Sequence, residues 1–131
     1  MGAPVVRVLL DSNIFIYAAA GEERAIAALD AASEAEWAGY SALSRLELFG
    51  FPLLKPHHEE RLATLLACFD EVPIDKRVID DAIVIRRRRK IKVPDAIIAA
   101  SARLMGATLV TRNAVDFMHI PDLVLRDPFA E

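Results

Sequence analysis

Cysteine is all but missing from this chain. Cys68 is the only one, which excludes an internal disulfide and any zinc site built from several thiolates. Long apolar runs are missing too. The longest, Ile14 to Ala20 and Ala96 to Ala102 around one serine, fall far below the roughly 18 residues that cross a bilayer, so neither a transmembrane helix nor a membrane partner is expected. The N-terminus lacks a basic stretch followed by a long apolar segment, which predicts no signal peptide and a cytoplasmic location. No internal repeat or low-complexity linker interrupts the 131 residues, a length that leaves no room for a second independent core and predicts one domain over residues 1–131. Positive charge is in deficit as well. Sixteen basic against nineteen acidic side chains give a net charge of −3, which argues against nucleic-acid binding through overall charge. The distribution changes that judgement, because six of the sixteen cations fall between Arg86 and Lys92. The chain is an acidic body with one basic patch.

What is present suits a packed interior: 54% hydrophobic residues against 27% charged is too apolar for a disordered chain. Val5 to Leu10 reads as a buried strand ending at Asp-Ser-Asn, residues that favour turns and helix caps. Ala25, Ile26, Leu29 and Ala32 keep helical spacing, and Trp37 and Tyr40 mark a short strand within Glu36 to Ser41. Leu43, Leu46, Gly50 and Leu54 suggest a helix whose end Pro52 disturbs. After His57, the stripe Leu62, Leu65, Leu66 and Phe69 predicts an amphipathic helix, and Val72 to Ile74 a strand. Asp75 is placed to cap a helix carrying Val78, Ile79, Ala82, Ile83 and Ile85 or Arg86, with the cations gathered at its C-terminal end, where the dipole favours them. Pro94 opens a further helix that Gly106 stops. Thr108 to Thr111 and Leu123 to Arg126 are the last strands, separated by a helical turn. Five short strands alternating with helices predict an α/β/α sandwich around a central, mostly parallel sheet.

Most acids sit in solvated runs such as Glu22-Glu23, Glu59-Glu60 and Asp80-Asp81; four do not. Asp11 follows the first strand, at the carboxyl edge where parallel sheets bind ligands; the plainer alternative is a capping aspartate. Glu47 shares a stripe with Leu43, Leu46 and Gly50 that is expected to face inward, where an unpartnered carboxylate is costly; the alternative is a capping box with Ser44. Asp95 opens a helix on the face of Ile98, Ala99 and Ala102, and first-turn aspartates also answer the helix dipole. Asp116 lies just beyond a strand expected to end at the same edge, where it could instead be the third-position acid of an Asn113 cap. Four distant segments thus each send one carboxylate toward one place. Ionised carboxylates crowded together repel and raise one another's pKa unless a cation neutralises them, and an all-oxygen set suits Mg²⁺ or Mn²⁺. Such an ion can assist water in cleaving a phosphodiester.

Through Leu-Leu-Asp11-Ser-Asn-Ile, Ser-Ala-Leu-Ser-Arg-Leu-Glu47-Leu-Phe-Gly, Pro-Asp95-Ala-Ile-Ile-Ala-Ala-Ser-Ala and Leu-Val-Thr-Arg-Asn113-Ala-Val-Asp116-Phe, the sequence resembles the PIN-domain nucleases, and within them the VapC-type toxins of bacterial toxin–antitoxin pairs. The resemblance runs almost end to end. It implies a PIN-like fold and a metal-dependent endoribonuclease whose Mg²⁺ or Mn²⁺ is lined by Asp11, Glu47 and Asp95. Many relatives carry an aspartate where this chain has Asn113, so Asp116 is taken as the fourth acid or an outer ligand, with Asn113 and Thr111 orienting water or metal. Ser12 and Asn13 are expected to support these acids by hydrogen bonds. The resemblance further implies a VapB-like antitoxin, a homodimer, and promoter DNA bound only through the antitoxin complex.

The basic cluster, Arg86, Arg87, Arg88, Arg89, Lys90 and Lys92, ends three residues before Asp95, which suggests that it guides RNA to the metal; the alternative is a solvated helix end. A non-catalytic PIN-like module that binds nucleic acid or a partner is the competing function. A phosphoryl-accepting receiver domain is disfavoured, because no lysine follows a strand in a suitable place. His57-His58 reads as a polar helix start and Cys68 as packing. His119 and Trp37 carry no interpretable signal. Part of the Leu62 to Phe69 surface is a candidate dimer or antitoxin groove.

Overall fold

Strand period decides the layers. In β1 (Arg7–Leu10) successive side chains point to opposite faces, so Leu9 enters one apolar cluster and Leu10 another. The computed structural model describes residues 6–130; Val5, where the sequence reading begins this strand, lies outside them. The chain continues through α1 (Ser12–Ala19), α2 (Glu23–Ser33), β2 (Trp37–Ser41), α3 (Ala42–Phe49), α4 (Pro56–Leu66), β3 (Asp70–Val72), α5 (Lys76–Arg88), α6 (Val93–Leu104), β4 (Thr108–Val110), a 3-10 turn (Ala114–Phe117) and β5 (Leu125–Arg126). The sheet order is β3-β2-β1-β4-β5 and every pairing is parallel, so the expected mostly parallel sheet is wholly so. Residues of α5 and α6 pack with Leu9 and Leu109 on one face, and residues of α1, α2 and α4 with Leu10 and Val110 on the other. This is the α/β/α sandwich. No helix among the described residues is long and apolar enough to cross a membrane.

Local chemistry sets most boundaries. Asp11 caps α1 through Ser12 N, Ser41 caps α3 through Leu43 N, and Asp75 caps α5 through Val78 N. Proline sits in the first turn of α4 and of α6, where its missing N–H costs nothing. Gly106 takes a φ of 59° just past α6, a left-handed conformation that glycine adopts without strain.

Five expectations are corrected. The third strand is Asp70–Val72, not Val72–Ile74: its register against β2 ends at Ser41↔Val72, and Pro73, without an N–H, cannot extend the ladder. The inward stripe of α3 is Ser44 and Leu48, while Leu46 is 68% exposed and Glu47 and Gly50 are exposed too; eight residues make little more than two turns, too few for periodicity to fix the phase. On α5 the buried residues are Val78, Ala82 and Ile85, leaving Ile79 and Ile83 outside, and on α2 Ile26 is likewise exposed. Cys68 is exposed in the turn after α4, its thiol directed at the Thr64 carbonyl. Asp81, grouped above with solvated acids, instead makes a partly buried pair with Arg103 at 2.6 Å, fastening α5 to α6.

Candidate active site at the carboxyl edge of the sheet

The crevice in this sheet follows from its order. From β1 the chain builds β2 and then β3 on one side, and returns to place β4 and β5 on the other. Connections leaving β1 and β4 therefore diverge, and the carboxyl ends of these strands open the gap in which such sheets bind ligands. Asp11 directly follows β1 and Thr111 directly follows β4. Both are buried.

A hydrogen-bonded web holds these groups. The Thr111 hydroxyl donates to Asp11 Oδ2 at 2.8 Å and accepts from Asn113 N at 3.0 Å and Asn13 Nδ2 at 3.4 Å, so its one proton and two lone pairs are all used. Asp11 Oδ1 accepts from Ser12 N at 2.8 Å. Asn13 Oδ1 accepts from Arg112 N at 3.3 Å, which with the Thr111 contact fixes the orientation of its amide. A second branch reaches Glu47. Ser12 Oγ lies 2.8 Å from both Glu47 Oε1 and Ser44 Oγ; a carboxylate only accepts, so Ser12 donates its single proton to Glu47 and accepts that of Ser44. Asp11 therefore is the helix cap the plainer alternative describes, and it is also tied to β4. Glu47 takes a side-chain partner from α1, while α3 is capped by Ser41 rather than by a Ser44–Glu47 box. Asn113 makes no side-chain cap.

Two of the four acids have raised pKa values. Burial pushes the Asp11 carboxyl above its ordinary range; the bonds from Thr111 and Ser12 oppose this, while the charges of Asp95 and Glu47 add to it. Asp95, half-buried at the start of α6, is raised first by burial and then by the charge of Asp116, with Glu47 adding and Lys92 opposing. The charges of Asp95 and Glu47 thus reach Asp11, and those of Asp116 and Glu47 reach Asp95. Among the described residues, no group of three or more His, Cys, Asp or Glu side chains is arranged to hold an ion by itself. Mg²⁺ does not require an all-protein cage, because it retains several waters and takes one or two carboxylates. The donor set, oxygen only and short of positive charge, fits Mg²⁺ or Mn²⁺ in chemistry.

The structure places the other named residues unevenly. The Arg86 side chain is turned back onto the Ile91 carbonyl, and that of Arg89 toward the Met118 carbonyl, whereas Arg87, Arg88, Lys90 and Lys92 are exposed. Of the cluster, Lys92 is the member whose charge is felt at Asp95. Sequence reasoning missed Ser44, read as a cap; its burial follows from the inward phase of α3, which eight residues do not reveal. Trp37 does carry a role, donating from its indole to Asp70 at 2.9 Å. An apolar groove of about 350 Å³ runs beside Glu47, lined by Ile16, Leu48, Phe51, Leu54 and Leu62.

The family model described as PIN domain matches residues 8–123. Among solved structures, a toxin–antitoxin complex from Klebsiella pneumoniae is 32% identical with a TM-score of 0.78, covering 93% of this chain and 98% of that one. FitAcB from Neisseria gonorrhoeae is 28% identical with a TM-score of 0.79, covering 95% and 99%. VapBC2 from Rickettsia felis, bound to a DNA fragment from their promoter, has a TM-score of 0.81 over 93% and 98%; at 23% identity it speaks for the fold alone. No curated protein matches the chain. The fold class and the family resemblance read from the sequence are both borne out. An all-parallel β3-β2-β1-β4-β5 sheet and a family match over most of its length make this chain a member of the PIN domain family.

Proposed function

We propose that the chain is a divalent-metal-dependent endoribonuclease, using Mg²⁺ or Mn²⁺, and the VapC-like toxin of a toxin–antitoxin pair. The observation that carries this reading is the hydrogen-bonded web at the carboxyl edge of the sheet, which holds Asp11 through Thr111 and Ser12 N and Glu47 through Ser12 Oγ, with Asp95 close enough for its charge to act on Asp11. Asp11, Asp95 and Glu47 would hold the ion, with Asp116 as fourth acid or acting through water. A bound ion supplies Lewis acidity toward a phosphodiester and the positive charge that keeps crowded carboxylates ionised. The chain's own part is preorganisation: Thr111 and Ser12 N hold Asp11, Ser12 Oγ holds Glu47, and Asn13 and Asn113 brace Thr111. Water forms the new P–O bond as the ester P–O bond opposite it breaks. Lys92, and with it Arg87 and Arg88, would draw the RNA backbone toward Asp95.

The apolar groove beside Glu47 suits an amphipathic helix laid along it, which supports a VapB-like antitoxin as the inhibitor. The similar toxin–antitoxin complex from Klebsiella pneumoniae favours such a partner. A homodimer in the cytoplasm, reaching promoter DNA only through its antitoxin, completes the proposal.

The test is antitoxin-free protein incubated with labelled RNA and Mg²⁺ or Mn²⁺. Cleavage abolished by EDTA and by Asp11→Asn is the expected result. RNA binding with no cleavage in any of these conditions would instead establish the non-catalytic module.

A further inference from the structure

Arg112 lies next to Thr111 in the chain, yet its side chain leaves the carboxylate web. Its guanidinium carbon stands 4.5 Å from the Tyr17 ring centre and 4.4 Å from that of Phe129, and the two rings are 5.4 Å apart and tilted by 58°. These centres form a triangle, so the guanidinium rests in the open V of two rings rather than between parallel plates. Each wall of the V is fixed. Tyr17 is one turn beyond Asn13 on α1, and Asn13 accepts from Arg112 N. Phe129 is held by Arg24, which donates to its carbonyl at 3.0 Å, and by its own N–H on Asp127 Oδ1 at 2.8 Å.

Arg45 and Arg103 are both paired with carboxylates. Among the described residues Arg112 has no acidic partner and no side-chain hydrogen bond, in a chain that carries a net charge of −3. A contact that served only to fasten the C-terminal segment would need no more than Tyr17 against Phe129. Cation–π contact uses the face of the guanidinium and leaves its N–H edge free, and that edge matches two oxygens of a phosphate. We propose that Tyr17, Arg112 and Phe129 form a backbone-phosphate clamp, which grips the bound single strand beside the carboxylate site. The clamp reads no base, and it depends on the C-terminal segment for one wall.

This inference rests on the nuclease reading. Its test is fluorescence anisotropy of a labelled single-stranded RNA on the full chain in EDTA, so that nothing is cut, over a range of salt, with metal-dependent cleavage followed separately. Arg112→Ala should weaken binding about tenfold and make the log–log salt slope shallower by about 0.7, one single-strand phosphate contact. Arg112→Lys should restore the slope but not the affinity, because charge returns without the planar fork. Phe129→Ala should weaken binding with all charges intact, and Phe129→Tyr should recover it. A DNA strand of equal length should show the same losses, since phosphate and not the 2′-hydroxyl is read. Wild-type affinity in Arg112→Ala, full recovery in Arg112→Lys, or a loss confined to RNA would each overturn the clamp while leaving the nuclease reading standing. Wild-type protein that neither binds nor cuts RNA would overturn both.

Discussion

Thr111 is small, but three groups depend on its hydroxyl: it donates to Asp11 and accepts from Asn113 N and Asn13. Thr111→Val keeps the shape and leaves those partners unmatched in a buried place, which should cost about 1–3 kcal/mol of stability; chemical denaturation measures it. Thr111→Ser retains the hydroxyl and should lose much less. Asp11 and Asp95 give a second prediction, from the direction of their shifts. Both folded-state pKa values lie above the ordinary 3.8, so the metal-free fold favours their protonated forms. Their contribution to stability is complete below the unfolded value and is lost as pH rises through the raised folded values. A divalent ion acts oppositely, since it binds the ionised groups of the native state. Mg²⁺ or Mn²⁺ should therefore raise the melting temperature at neutral pH, and less so as pH falls through these raised pKa values. In Asp11→Asn the rise should shrink at neutral pH; thermal scans with and without EDTA check both statements. The sequence named Asp11 because it ends an apolar strand. It could not name Ser44, whose signal is a helical phase that only packing sets.

Caps and breakers made most of the elements legible. Asp75, Pro94 and Gly106 act locally, through a side-chain bond to Val78 N, a pre-set φ and a left-handed turn, and local acts can be read from neighbours in the chain. Asp75→Ala should remove about 1 kcal/mol from the fold by uncapping α5, visible as a lower denaturation midpoint with an unchanged slope. Strand ends and helix faces were less legible because they answer to distant partners. Gly39 in β2 shows this. A Cβ there would stand 2.6 Å from the Asp70 carbonyl oxygen on β3 and 2.6 Å from the Trp37 ring. Gly39→Ala must push β3 or the indole aside and should cost about 1–3 kcal/mol, measured by the same denaturation series. The same pairing ended β3 at Val72 where hydropathy alone carried it to Ile74.

At the scale of the whole molecule, an acidic body carries one basic patch, of which Lys92 acts by its charge on Asp95. Neutralising Arg87 and Arg88, exposed at the end of α5, should weaken RNA binding and flatten its salt dependence while leaving Mn²⁺ affinity nearly unchanged. Anisotropy and calorimetric titration read the two effects separately, and an unaltered salt slope would remove the cluster from the RNA path. Composition, caps and motif order determined by themselves that this is an α/β chain with a buried sheet, and which acids stand at strand ends and helix starts, because each of those properties depends on residues close together in sequence. The β3-β2-β1-β4-β5 order, the pairing of Ser12 with Glu47 across 35 positions and of Asp11 with Thr111 across 100, and the Tyr17–Arg112–Phe129 cleft were decided only by the tertiary structure. Such contacts require that segments far apart in the chain be brought together, and which ones meet is chosen by the burial of the whole core rather than by any one stretch of it.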